Sequence, residues 1–564
     1  MRHKYSNVNF PAIMFKEGIN YRSYEYFGVH KGREKYSFRI WQPDAEKVFL
    51  VLYYKNGPLS FPMNKITDDG IWELFIHTTE HLDAKYICDD PEGIQYNYNV
   101  ITQGESHYIN DPFAVCFSSD SDKKSVVRIK SKYLFDDSLW ALTRFHSFLE
   151  KDSYQLPLNI CKVDHIFDNY GQISFKSIAK TLIPYVKKAG YTHVLLPPIF
   201  DFDGTYNTEI RPSSLYSINS SLGDIDDLKN LVDKLHNVGV GVILDFTPFL
   251  FSARGQDPSP FGKACLSDNN ALAYDVGKKE VISYLISSAF YWFDKFHIDG
   301  LHVTQSGGLM DLNFGKEKEN WTANRYGGFE NLEGLFFLNQ LNEAIKKEYS
   351  DRLIIADDNR IFGKTVIDKF NKDLGFSFRI KTDWCEDFHN YIFKDTKNLF
   401  RRLPMENYIL PLSLKAAIEN VSSIFDFDGL DLQEKLGFIR AVKVLQMTLP
   451  YKKLGLLRGD TDEIEPLACS GSVTDAEWSD RIRRYQCFVE HINKVYSDFD
   501  SFYDNDLSSD GMKFINTGKI GLIAFTRRSR KGKEPIIVIN FLKESIEGLV
   551  LPSKITSGFY KTVL

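Results

Sequence analysis

Four carboxylates and one imidazole stand where apolar runs of the chain begin or give out. Asp245 ends the run 239–245, Asp299 lies in 298–303 together with His302, and Asp357 and Asp358 follow 352–356. Carboxylates gathered at strand ends suit acid–base work, one as proton donor and another as base or nucleophile. An inverting hydrolysis would take Asp357 as the acid, with a second carboxylate roughly 6.5–9.5 Å across the bond. The plainer alternative is that Asp245 and Asp299 hold loops in place. His302 has the chemistry of a base or a metal ligand, but no partner stands at ligand spacing from it. The seven cysteines are scattered and include no CxxC pair, so reduced thiols are expected and no disulfide frame or zinc site. Neither a metal nor a cofactor is expected.

The elements that would position these groups alternate between strand and helix. Buried-looking strands at 192–197, 239–245, 298–303 and 352–357 are separated by amphipathic stretches. In 226–236 the apolar residues Leu228, Leu231, Val232 and Leu235 recur at helical spacing. Repeated β-then-α units over 156–460 point to an α/β chain with a central (β/α)8 TIM barrel, whose functional groups collect at the C-terminal ends of the strands. Before it, 20–120 reads as a small antiparallel β-sandwich, with strands at 35–41, 47–54 and 71–76 and turn residues at 42–44, 56–58 and 68–70. Residues 121–155 read as a linker. The last part, 461–564, reads as a helix followed by a C-terminal β-sandwich, with strands at 513–516, 520–526 and 535–541. The basic run 527–533 between two of these strands reads as a solvated hairpin loop. Trp41 and Trp72 read as sandwich-core residues.

With 69 Lys and Arg against 75 Asp and Glu, the charge of −6 gives no reason to expect nucleic acid or an anionic membrane as partner. No apolar run approaches the ~20 residues needed to span a bilayer, and residues 2–7 begin no signal peptide, so a cytoplasmic location is expected. The chain holds 44 Phe, 30 Tyr and 7 Trp, enough to fill a large core and still leave ring faces for other work.

The residues carry a resemblance through nearly the whole length. Phe38-Arg39-Ile40-Trp41-Gln42-Pro43-Asp44-Ala45, Asp69-Gly70-Ile71-Trp72 and Asp111-Pro112-Phe113-Ala114 lie in the first part. Phe296-His297-Ile298-Asp299-Gly300-Leu301, Arg325-Tyr326-Gly327-Gly328-Phe329-Glu330-Asn331-Leu332-Glu333 and Met405-Glu406-Asn407-Tyr408-Ile409-Leu410-Pro411-Leu412-Ser413 lie in the barrel. With 536–541 and Ser557-Gly558-Phe559-Tyr560 at the end, the chain resembles bacterial glycogen (1,4-α-glucan) branching enzymes of the alpha-amylase superfamily. The resemblance implies a carbohydrate-binding module ahead of the barrel. It also implies a retaining mechanism with a nucleophilic carboxylate, an acid/base carboxylate and a third that stabilises the oxocarbenium-like charge.

At each of those positions this chain departs from the family pattern. Thr304 stands at the nucleophile position, His302 where the family has arginine, and Asp357 at the acid/base position in place of glutamate. Lys415 stands at the third carboxylate position, a cation beside a carbon that must itself become positive. Leu250 replaces a histidine that contacts the reacting sugar, and a stacking tyrosine is replaced by Thr208 or Ile210. Trp321, Tyr326 and Trp384 fall in segments around the barrel mouth, where they either stack on glucose or pack structurally. With Asp245 and His302 they form the expected sugar-binding set. The expectation is a branching-enzyme homologue in glycogen or α-glucan metabolism that binds α-glucan or an active glucan-metabolising enzyme and has lost catalysis. The alternatives are an active branching enzyme with an atypical site, and an interaction subunit that binds no sugar.

Overall fold

The computed structural model describes residues 9–78, 86, 89–120, 122–129, 131–163, 167–168, 171–172, 174–203, 211–253, 259–264, 271–314, 316–357, 374–380, 408–411, 432–456, 475–519, 521–542 and 544–549. Among the residues singled out above, Thr208, Ile210, Asp358, Trp384, Met405-Glu406-Asn407, Leu412, Ser413, Lys415 and Ser557-Gly558-Phe559-Tyr560 lie outside these stretches.

The alternating pattern of the first hundred residues folds as two antiparallel sheets. Lys35–Trp41 pairs with Gly28–Lys31 and Ile71–His77, while Lys47–Tyr54 pairs with Gly57–Pro62 and Gln95–Thr102. Alternate side chains point to one face of a strand, so Tyr36, Phe38 and Ile40 share one core with Leu50, Leu52, Tyr96, Tyr98 and Val100. The turn before Ile71 needs its glycine. Gly70 has φ +87°, and a Cβ there would lie 2.2 Å from the Pro43 Cα. Trp72 joins the sandwich core, its Nε1 donating to the Gln42 carbonyl at 3.0 Å. Trp41 does not. Its ring meets Phe15 and Phe261 edge-on, at 5.7 and 5.1 Å, in the seam between this module and the barrel.

The long apolar runs become eight parallel strands that close on themselves. In order around the barrel they are Asn159–Lys162, His193–Leu196, Gly241–Phe246, Gly300–Val303, Leu353–Ala356, Phe378–Ile380, Tyr408–Pro411 and Lys452–Leu456. Gly241–Phe246 is buried along its whole length, which is why it reads as a continuous apolar run. The expected amphipathic helix is Ile225–Asn237. Asp224 and Asp227 form a capping box at its start, and Leu228, Leu231, Val232 and Leu235 have no exposed surface. Helix Lys279–Phe296 is buried on nearly every side because the N-terminal segment lies across it. Its small residues let that backbone approach: Asn20 and Tyr24 amides donate to the Ser283 and Ser287 hydroxyls at 3.2 and 3.1 Å.

The stretch 121–155 carries the helix Ser138–Glu150, which crosses the end of the barrel where the strands begin. After the barrel, helices Leu432–Thr448 and Asp475–Asp498 pack with the antiparallel sheet Met512–Ile515, Leu522–Arg527 and Ile536–Asn540 around Val442, Tyr485, Ile492, Ile523 and Phe525. The basic hairpin is exposed at 530–534, but its first residue is not in solvent. Arg527 is fully buried, paired with Asp506 at 2.5 Å and donating to the Thr448 carbonyl at 2.9 Å. A guanidinium can be buried when its fork meets a carboxylate and a carbonyl, so the hairpin is anchored at its base.

Candidate active site at the barrel mouth

Neighbouring parallel strands bring Asp245 and His302 side by side, since the two residues are register partners. The His302 Nδ1 lies 2.5 Å from Asp245 Oδ1. The fifth strand ends at Ala356, and the Asp357 carboxylate that follows comes within 3.6 Å of His302 Nε2, beyond hydrogen-bond length. The imidazole is therefore held between two carboxylates while only 3% exposed. Burial lowers its affinity for a proton, yet the charge and hydrogen bond of Asp245, then Asp357, outweigh this and push its pKa up to about 9. His302 is a positioned cation at neutral pH, not a base. Asp357 remains reachable, its side chain 33% exposed.

Thr304 follows His302 by two residues, at the end of the fourth strand. Its amide donates to the Phe246 carbonyl at 2.9 Å, and its hydroxyl donates to the same carbonyl at 3.4 Å while lying 2.9 Å from the Thr247 hydroxyl. A hydroxyl becomes a nucleophile when a base takes its proton; here the described partners are a backbone oxygen and another hydroxyl. Leu250, in the buried strand Leu250–Ser252, presents only aliphatic carbon where a sugar contact is expected. The sequence did not single out Gln305. Its φ is +55°, a left-handed value unusual for a side chain of this size, and among the described residues its buried Oε1 has no hydrogen-bond partner. No composition signal marks such a residue.

Trp321 and Tyr326 lie on the loop that leaves the end of the fourth strand. Trp321 is 45% exposed, with Nε1 donating to the Lys316 carbonyl at 3.0 Å and its ring 5.4 Å from Phe329. Tyr326 is 75% exposed, with the Arg325 guanidinium 4.9 Å from its ring. Neither ring is packed into the core. Trp384 and Lys415 lie outside the described residues, so the third carboxylate position has no described geometry. Among the described residues no cluster of three or more His, Cys, Asp or Glu could hold a metal ion. No described helix is long and apolar enough to cross a membrane.

Asp299 belongs to the opposite end of the barrel. It precedes the fourth strand, so it sits at the floor and not with Asp245 at the mouth. Its Oδ1 accepts from Trp140 Nε1 at 3.0 Å and from Arg144. Its Oδ2 accepts from the Val242 amide at 2.7 Å and faces His236 Nε2 at 2.8 Å. His236 reaches Asp137 with its other nitrogen, also at 2.8 Å. Burial opposes ionisation of Asp299, but His236 and Arg144 hold its carboxyl well below the usual carboxylate range. This carboxylate fastens the helix Ser138–Glu150 to the barrel and stands apart from the mouth.

Residues 26–114 match carbohydrate-binding module 48 (isoamylase N-terminal domain). Solved structures of similar shape include a putative alpha amylase from Salmonella typhimurium, with TM-score 0.58, 16% identity and 91% of this chain and 93% of that one covered. A type I pullulanase from Bacillus subtilis complexed with maltose aligns with TM-score 0.65, 14% identity and 91% and 78% coverage. At that identity the likeness is one of fold. Along the sequence, the 1,4-alpha-glucan branching enzyme GlgB of Oceanobacillus iheyensis is 29% identical over 94% of this chain and 86% of its own. The enzyme of the same name from Desulfitobacterium hafniense is 31% identical over 97% of this chain and 89% of its own. With that identity sustained across module, barrel and C-terminal part, the chain belongs to the 1,4-alpha-glucan branching enzyme GlgB family.

Proposed function

We propose that this protein works in glycogen or α-glucan metabolism by binding α-glucan and does not itself transfer glucan chains. The observation that carries the reading is Thr304. The position that needs a carboxylate nucleophile holds a hydroxyl whose described hydrogen-bond partners are the Phe246 carbonyl and the Thr247 hydroxyl, neither of them a base that would take its proton. Three further features support it. His302 occupies the mouth as a buried cation between Asp245 and Asp357. Asp357 keeps a carboxylate at the acid/base position but is one methylene shorter than glutamate, about 1 Å, a misplacement that costs on the order of a hundredfold. Lys415 stands where the family pattern has the third carboxylate. Glucan binding is supported by the module at residues 26–114 and by the exposed rings of Trp321 and Tyr326 beside the mouth, which have the flat apolar faces that sugar rings stack against.

The purified chain is to be incubated with amylose, following iodine absorbance and chain-length distribution, and run in native gels containing glycogen. Unchanged amylose together with retardation by glycogen is expected. Exchanging Trp321 and Tyr326 together for alanine should weaken the retardation severalfold. Branching at a rate near that of an ordinary homologue would overturn the proposal in favour of an active enzyme with an atypical site. Absence of retardation, with another glucan enzyme co-purifying, would replace it with an interaction subunit. Combining Thr304→Asp, Asp357→Glu and Lys415→Asp should recover little activity, because Leu250 still offers the sugar no polar contact.

A further inference from the structure

The helix Ser138–Glu150 is fastened to the barrel floor by one side only. Trp140 donates to Asp299 at 3.0 Å, and Arg144 donates to Asp351 at 2.8 Å. The opposite side carries Leu139, Leu142, Phe145 and Leu149, each 45–78% exposed. Steps of three, three and four residues keep these four on one stripe about 15 Å long. An apolar stripe on a helix ordinarily faces a core, and a contiguous apolar patch left at the surface marks contact with another molecule.

The face is large enough for a stable contact. Its four apolar side chains expose on the order of 450 Å², and the exposed Thr143, His146 and Glu150 beside them bring this to about 650 Å². Two such faces together would bury about 1,300 Å², toward the lower end of the roughly 1,200–2,000 Å² of stable protein–protein interfaces. The stripe is also its own complement. Turned antiparallel about a two-fold axis near the middle of the helix, one copy sets Leu139 opposite Leu149 of the other, and Leu142 opposite Phe145. The same turn brings the exposed Asp136, just before one helix, level with the exposed Lys151, just after the other. Neither of these is in an ion pair with another described residue. Antiparallel pairing also sets opposite ends of the two helix dipoles side by side. A face shaped for an unrelated protein has no reason to match itself in this way.

We propose that this face pairs with a second copy of the chain, two helices packing antiparallel and joining the molecules at their barrel floors. The mouths lie at the opposite ends of the barrels from the contact, so the pair presents two of them. The pairing does not rest on glucan binding.

Sedimentation equilibrium of the full chain from about 0.5 to 200 µM tests this, since an interface of this size and character gives a micromolar dissociation constant. The mass should pass from that of one chain to twice that value. Two variants, Leu139→Lys with Leu142→Lys and Phe145→Glu with Leu149→Glu, each set charges against apolar partners and should weaken pairing about a hundredfold or more. Mixed in equal amounts, they should pair again to within about tenfold of the parent, because the antiparallel register sets each new lysine against a new glutamate. In urea, at concentrations low enough for the chain to be monomeric, both variants should unfold at the parent's midpoint, which separates lost pairing from lost folding. The proposal fails if the parent stays monomeric up to about 200 µM, as it will if another segment of the chain or a different protein covers the face. It fails equally if the variants pair like the parent, or if their mixture stays monomeric.

Discussion

His302 shows how a charge at a strand end depends on its neighbours. An arginine at that position would keep its charge at any pH. The imidazole keeps its charge because Asp245 and Asp357 flank it. Its pKa in the folded chain, about 9, lies above the ordinary 6.5, so the stabilisation it gives is complete below about 6.5 and is lost as pH rises through 9. Urea unfolding across that window should show stability falling with pH, and His302→Gln should remove that part of the slope. An identical slope in the variant would show that His302 does not carry the proton. Such behaviour was partly legible beforehand. Asp245 ends its apolar run and Asp357 closes another, which in a parallel barrel assigns both to the mouth; Asp299 stands inside the run 298–303 and reads with them, and only the start of the strand at Gly300 puts it at the floor. What was not legible is the sharing of one imidazole by two carboxylates, which depends on the register of three strands at once.

Among the elements, the helix Ser138–Glu150 departs most from what its residues suggest. An amphipathic helix ordinarily turns its apolar stripe to the core. Here Leu139, Leu142, Phe145 and Leu149 are exposed, while Trp140 and Arg144 on the other side hold Asp299 and Asp351. The segment has neither a long apolar run nor a core-facing stripe, so it reads as a linker until its partners on the barrel are seen. By contrast Ile225–Asn237 was legible from the helical spacing of its apolar stripe over 226–236, to within one residue at each end. Asp299→Asn would leave Arg144 and His236 facing a buried site with one charge fewer, and should cost about 3–5 kcal/mol in urea unfolding. Leu142→Gln, on the exposed side, should stay within about 0.5 kcal/mol. A neutral Asp299→Asn would mean that apolar packing and not this carboxylate holds the helix.

For the whole molecule, module and barrel are joined through a continuous apolar seam. Phe15, Phe27, Trp41 and Phe113 belong to the same cluster as the barrel's Phe261 and Tyr284. Trp41→Ala should therefore destabilise the chain by about 3–5 kcal/mol and lower the melting temperature of one shared calorimetric transition. Two separate transitions in the parent chain would contradict a common core. The three-part order of the molecule could be read from pattern, since the alternation changes from two residues to a helical period and back. The seam could not, because Trp41 and Trp72 sit in equally strand-like surroundings and only the packed sheets distinguish them.

The placement of Asp299 at the barrel floor has a consequence for descent. Val242, which donates to it, and Asp245 at the mouth are three residues apart on one strand, about 10 Å. That short distance separates two independent inheritances. The bonds that let the barrel close are kept at one end, and whatever reaction the lineage performs is written at the other. Exchanges at the mouth can accumulate while every daughter sequence still folds, so ancestry stays visible in the floor after the trade practised above it has changed.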